Sequence, residues 1–293
     1  MNKGVTIVLI ILLSIVTICL TGLFILLMKG NFNFNFKGFF NIGYSEKLVD
    51  SKEFDTIEDI EVNSDIADII IEQGQEGKIS VELYSEDSDN YYIKNENDKI
   101  SVSLKAKKKN VNFLRKQDRV VIKLPKDYDQ KVKIKTNVGD TKAESFENIK
   151  FDIEATTGDI KLDRIDSLDF KITTGDVKIE KANYISGSST TGDIKIGEAE
   201  EFSAGTTTGD IEIEKVTKRI YAKTSTGDVK VETITLSEDS TIKTGTGDVK
   251  IDRLEGAYIE AHTNTGDIRV NNNDRHEEKT VNISTSTGDI RVN

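Results

Sequence analysis

Nine Gly-Asp pairs recur along this chain, at 139–140, 158–159, 175–176, 192–193, 209–210, 227–228, 247–248, 266–267 and 288–289, in steps of 17 to 22 residues. A period near twenty residues is the signature of a stacked repeat, because one copy is too short to bury a core alone. After each pair, alternate residues are apolar: Ile160/Leu162, Val177/Ile179, Ile194/Ile196, Ile211/Ile213, Val229/Val231, Val249/Ile251. This is one face of a strand. Before each pair the matching face holds Ile153/Ala155/Thr157, Phe170/Ile172/Thr174, Ala204/Thr206/Thr208 and Ala222/Thr224/Thr226. Each unit therefore reads as strand, sharp corner, strand and a loose third side.

Glycine supplies the backbone angles of a tight corner, and aspartate bonds nearby backbone N–H groups. A hairpin meander and a β-solenoid both use such a corner. The short, nearly constant copies favour the solenoid, as do the small residues Gly187, Ala204, Ala222 and Ala261 at one inward position. The expected fold is all-β: a single-stranded β-solenoid of about nine short rungs after an N-terminal transmembrane helix. Its structural corner motif comprises Gly158, Asp159, Gly175, Asp176, Gly192, Asp193, Gly209, Asp210, Gly227, Asp228, Gly247, Asp248, Gly266, Asp267, Gly288 and Asp289.

Stacked aspartates about 4.8 Å apart would repel by several kcal/mol at an effective dielectric near 20. Two residues on stand Lys142, Lys161, Lys178, Lys195, Lys230, Lys250, Arg269 and Arg291, with Glu212 the exception. An acidic column beside a basic one reads as self-neutralising structure, not as a calcium site, which takes six to eight oxygens. Glycan cleavage needs two distinguished acid or base groups in one place, and the column offers equal candidates. His262 and His276 read as solvated surface residues. The Thr-x-Thr strings share parity with inward Ile153, Ile172 and Ala222, against an outward ice-binding array. No catalytic residue, metal ligand or cofactor is expected.

Residues 5–28 form an uncharged apolar run, about 36 Å as a helix, long enough to cross a bilayer. No small-residue cleavage site follows, so an uncleaved anchor with the large domain exported is expected. The organisation reads as 1–28 tail and transmembrane anchor, 29–50 juxtamembrane linker with Phe/Asn alternation, 51–130 period-2 strands, and 131–293 repeats. Between two strands lies a basic loop, "KAKKKNVNFLRKQDR", whose Lys105, Lys107, Lys108, Lys109, Arg115, Lys116 and Arg119 suit contact with anionic lipid or wall polymer. The net charge of −11 argues against nucleic acid as a partner. The one cysteine, Cys19, lies inside the apolar run, which removes intrachain disulfides and thiol chemistry. The chain stops at "STGDIRVN", within a copy, which leaves two readings: an open C-terminal rung that pairs with a strand of a partner or, in self-association, of a second copy, or a cover formed by the insert before it folding back.

The apolar segment, "NSDIADIII" (63–71), "VVIKLPKDY" (120–128) and the T-T-G-D/S-T-G-D repeats together resemble the bacterial putative-adhesin domain family, whose membrane-anchored members are LiaG-like. The resemblance covers nearly everything after residue 50 and brings no catalytic residues. It implies a single-pass cell-membrane protein with its C-terminal domain extracytoplasmic, non-enzymatic, acting by contact with an envelope polymer or membrane protein as an adhesin or envelope-stress accessory. The alternatives are a cytoplasmic, membrane-tethered polymerising scaffold and, third, a cell-wall glycan-cleaving enzyme.

Overall fold

The structure, a computed structural model, describes residues 47–55, 58–85, 91–96, 99–105, 118–271 and 277–293. The apolar run at 5–28, the Phe/Asn segment, His276 and residues 106–117 of the basic loop lie outside these. Among the described residues every regular element is a strand, and no helix is long and apolar enough to cross a membrane.

The chain begins with β1 (Leu48–Phe54), β2 (Asp59–Ile66), β3 (Asp68–Gln73), β4 (Ile79–Tyr84), β5 (Tyr91–Asn95), β6 (Lys99–Leu104) and β7 (Arg119–Leu124). Next come β8 (Lys131–Val138), β9 (Thr141–Ala143) and β10 (Lys150–Thr157), then the long strands β11 (Ile160–Thr174), β12 (Val177–Thr191), β13 (Ile194–Thr208) and β14 (Ile211–Thr226). Shorter strands close the series: β15 (Val229–Thr235), β16 (Ser240–Thr246), β17 (Val249–Glu255), β18 (Tyr258–Thr265), β19 (Ile268–Val270), β20 (Thr280–Thr287) and β21 (Ile290–Val292).

From β8 onward copies stack in parallel and in register, Ile160 beside Val177, Val177 beside Ile194, Ile194 beside Ile211. Nine Gly-Asp corners bound about eight turns of an all-β solenoid. Along β11 the inward phase slips between Leu162 and Ile165 and again between Ile165 and Leu168. The third side is therefore not loose. It carries its own buried column of Ile165, Ala182, Ala199, Val216 and Ile234. Volume is shared between rungs: a Cβ on Gly187 would meet the Phe170 ring at 2.4 Å, so the phenyl group of one rung fills the space its neighbour leaves.

The ladder passes the 130/131 boundary without a break. β2 and β3 form a rung of their own, parallel to β8 and β9 on one side and to β6 and β7 on the other. Direction changes only beyond that rung, where β4 runs antiparallel to β7, β5 to β6, and β1 to β4.

At the other end, stacking departs from sequence order. β16 and β17 pair not with β18 and β19 but with β20 and β21, which pair in turn with β18 and β19. The C-terminal copy is thus flanked on both sides, and the outermost described rung is β18–β19. The edge expected at the C-terminal rung belongs to this other copy. Side-chain chemistry gives the reason. The inner copy buries Val281, Ile283, Ile290 and Val292 to 1% exposure or less, whereas the outer one offers Ala261 at the equivalent of Ile283 and leaves Ile268 44% exposed. The more apolar copy takes the doubly covered place.

Candidate functional site

The corners make one continuous ladder. The Asp140 N–H donates to Asp68 Oδ1 at 2.8 Å, Asp159 N–H to Asp140 at 3.0 Å, Asp176 to Asp159 at 2.9 Å and Asp193 to Asp176 at 2.9 Å. The series continues through Asp210, Asp228, Asp248, Asp289 and finally Asp267, whose N–H donates to Asp289 at 2.9 Å. Each carboxylate from Asp68 to Asp289 is thereby held by the next corner's backbone, a charge-assisted bond, and among the described residues only that of Asp267, at the outer end, has no further corner to hold it. Inside the corner, Thr206, Thr224, Thr244, Thr263 and Thr285 donate through Oγ1 to the carbonyls of Gly192, Gly209, Gly227, Gly288 and Gly247. Asp193→Ala should leave the Asp210 N–H without its acceptor and cost about 1–3 kcal/mol. Asp193→Asn, which keeps an acceptor oxygen, should cost less, as urea denaturation of the two variants would show.

Asp68 belongs to this ladder and is absent from the Gly-Asp series, because Ala67 stands where the other corners have glycine. Aligning "IADI" with "TGDI" would have revealed it. The Thr-x-Thr strings divide between core and solvent. Thr224, Thr244 and Thr285 are buried as parity requires, but Thr226, Thr246 and Thr287 are exposed, since the chain is already turning at the residue before glycine. Thr157, Thr174 and Thr208, which parity places on the inward face, are exposed for the same reason.

The basic column neutralises the corners only in part. Lys142, Lys195, Arg269 and Arg291 reach Asp140, Asp193, Asp267 and Asp289 at 3.5, 4.0, 3.6 and 2.8 Å. Lys178, Lys230 and Lys250 pair instead with Glu180, Glu232 and Asp252 at 3.2, 3.6 and 2.7 Å, and Lys195 also reaches Glu212 at 3.7 Å. Backbone amides, present at every corner, do what the lysines do at some.

The two sides of the corner differ in chemistry. The side leaving it carries alternating charges, several of which pair with one another, as Lys178–Glu180, Lys230–Glu232 and Lys250–Asp252 do. On the side approaching it, from β12 through β13, β14, β16 and β20, the three outward positions nearest the corner hold serine, threonine, glycine, asparagine, Tyr221, Lys223 and Lys243, with no carboxylate among them. Tyr221 stands there 44% exposed, and Tyr184, 46% exposed, lies one outward position further from the corner, in the column that continues as Glu201 and Arg219. Towards β2 the same side becomes a groove of about 390 Å³ of mixed charge, lined among others by Lys105, Lys135 and Lys171 and by the carboxylates of Asp65 and Glu154. Charge counts alone did not disclose this face; it emerges only when rungs are laid side by side.

Of the predicted basic patch, Lys105 lines this groove, and Arg119 lies over the Tyr84 ring at 4.3 Å. Lys107, Lys108, Lys109, Arg115 and Lys116 lie outside the described residues. His262 is exposed and bonds Asn264 at 3.0 Å. Among the described residues no group of side chains is arranged to hold a metal ion.

Several carboxylates are held below their ordinary range: Glu198 by Lys181 and Lys215 at 3.0 and 3.1 Å, and Asp289 by the Asp267 amide and Arg291. A lowered folded-state pKa stabilises fully above the unfolded value and is lost as pH falls through the folded one. Melting temperature should therefore hold between pH 7 and 5 and decline below about 4, near the unperturbed carboxylate values.

The Toastrack DUF4097 family model matches residues 57–186 and again 180–293. Three solved structures are similar: a "putative adhesin" from Bacteroides fragilis (17% identity, 84% of this chain and 98% of that one, TM-score 0.46), a "putative cell adhesion protein" from Clostridium sporogenes (13%, 83% and 98%, 0.32) and a "putative lipid binding protein" from Parabacteroides distasonis (13%, 83% and 96%, 0.44). No curated protein matches the sequence.

Proposed function

The chain belongs to the Toastrack DUF4097 family, and from that premise we propose that it is a non-enzymatic contact protein of the cell envelope, anchored through residues 5–28 with its solenoid outside. In this reading it acts as an adhesin or as an envelope-stress accessory. The observation that carries the proposal is the contrast between corner and face. The corner aspartates, up to the outermost one, Asp267, are engaged by the same backbone bond, and the acids that recur four residues later, such as Glu180, Glu232 and Asp252, pair with lysines, so the repeat sets no acid–base pair apart for chemistry. A long, carboxylate-free face remains for contact. The fold alone does not supply function, so the face bears the weight.

Protease treatment of intact cells, following a tag after Asn293, tests the location. Digestion in intact cells is expected. Protection until lysis would overturn the extracytoplasmic reading and favour the cytoplasmic tethered scaffold.

A further inference from the structure

On the corner-approaching side, Lys135, Glu154, Lys171, Lys223 and Lys243 occupy one outward column, Glu154 lying between the first two lysines. Lys135 pairs with Glu154 at 3.0 Å. Lys171, Lys223 and Lys243 take part in no ion pair among the described residues. Three uncommitted cations in one column stand out in a chain of net charge −11, where Lys178, Lys195, Lys230 and Lys250 on the opposite side are paired. By ladder register Lys171 and Lys223 are three rungs apart, about 14 Å, and Lys243 follows one rung later, about 5 Å on. Between Lys171 and Lys223 the column holds only Ser188 and Gly205, so the floor is low and flat.

Tyr184 and Tyr221 rise from the neighbouring columns, two rungs and two residues apart by register, roughly 12 Å. Exposed phenol rings present an apolar plate with a polar tip, suited to a partner that is wet at its edges and apolar on its faces. A pyranose ring is such a partner. A lipid surface would want an apolar floor, and the floor here is hydroxylic.

We propose that this face binds a linear acidic polysaccharide, its sugar rings on Tyr184 and Tyr221 and its carboxylates beside Lys171, Lys223 and Lys243. The inference deepens the envelope-contact reading by naming the class of polymer, and it rests on that reading for the polymer's presence. Binding is measured with purified protein, so it fails or succeeds independently of the protease result.

The test uses the full chain in neutral detergent and galacturonate octasaccharide by calorimetry, with a neutral glucan octasaccharide and inorganic polyphosphate as comparison ligands. Saturable binding of the galacturonate is expected, with at least tenfold preference over the neutral glucan. Lys171→Gln with Lys223→Gln should weaken it about tenfold and flatten its salt dependence. Tyr184→Ala with Tyr221→Ala should also weaken it about tenfold, while Lys178→Gln with Lys230→Gln, on the opposite side, should leave it unchanged. All of these side chains are exposed, and equal melting temperatures would show that the fold survives. No binding of the galacturonate would overturn the proposal. So would equal binding of the neutral glucan, or polyphosphate binding as tight as galacturonate with galacturonate affinity indifferent to the tyrosine pair, which would reduce the face to a charge patch.

Discussion

A chain with cysteines at Thr246 and Thr287 should form an intramolecular disulfide almost completely on mild oxidation, and a chain with cysteines at Thr246 and Thr265 should form none. Cys19→Ser in both removes the only competing thiol. Thr246 lies beside Thr287 in the ladder, and Thr287 lies between Thr246 and Thr265. Adjacent rungs set Cα atoms about 4.8 Å apart, within disulfide reach, whereas two rungs set them about 9.6 Å apart, beyond the limit near 7 Å. All three threonines are exposed at the corner, so the substitutions disturb no core. Mass spectrometry after alkylation reads the result. The reverse pattern would mean that the last two copies stack in sequence order, with the C-terminal rung outermost.

The second large effect is expected at the corner glycines. Gly192 has φ +139°, and a Cβ there would sit 2.0 Å from the Gly175 carbonyl oxygen. Gly192→Ala therefore combines a conformation that L-residues avoid with a backbone collision between rungs. The two contributions together should cost about 3 kcal/mol or more. Gly77 is the control: φ is +71°, with nothing within 4 Å of an added methyl group, so Gly77→Ala should cost only about 1 kcal/mol. Urea denaturation compares the two. Because each rung contacts mainly its neighbours, Gly192→Ala should also split a single transition into two as the coil separates at the weakened rung.

Much of this was legible one copy at a time. Periodic apolar residues such as Val177/Ile179 and Ile194/Ile196 set the strands and their inward face, and the corner showed in Gly-Asp because each rung repeats its local chemistry. Other features depend on neighbours that sequence does not order. The third side reads as irregular in one copy, and becomes a column only when Ile165, Ala182 and Ala199 are superposed. Ala67–Asp68 hides its kinship until the Asp140 amide is seen bonded to it.

By itself, then, the sequence determined what each Gly-Asp rung is: a β segment with a glycine at a positive-φ corner and an aspartate placed to bond a backbone. Those are local requirements of angle and polarity. The tertiary structure decided which rung lies against which, because stacking energy is a property of pairs. It threaded the copy rich in branched apolar residues between two others and left the copy with Ala261 outermost. It also aligned Lys171, Lys223 and Lys243 in a single column that no count along the chain brings together.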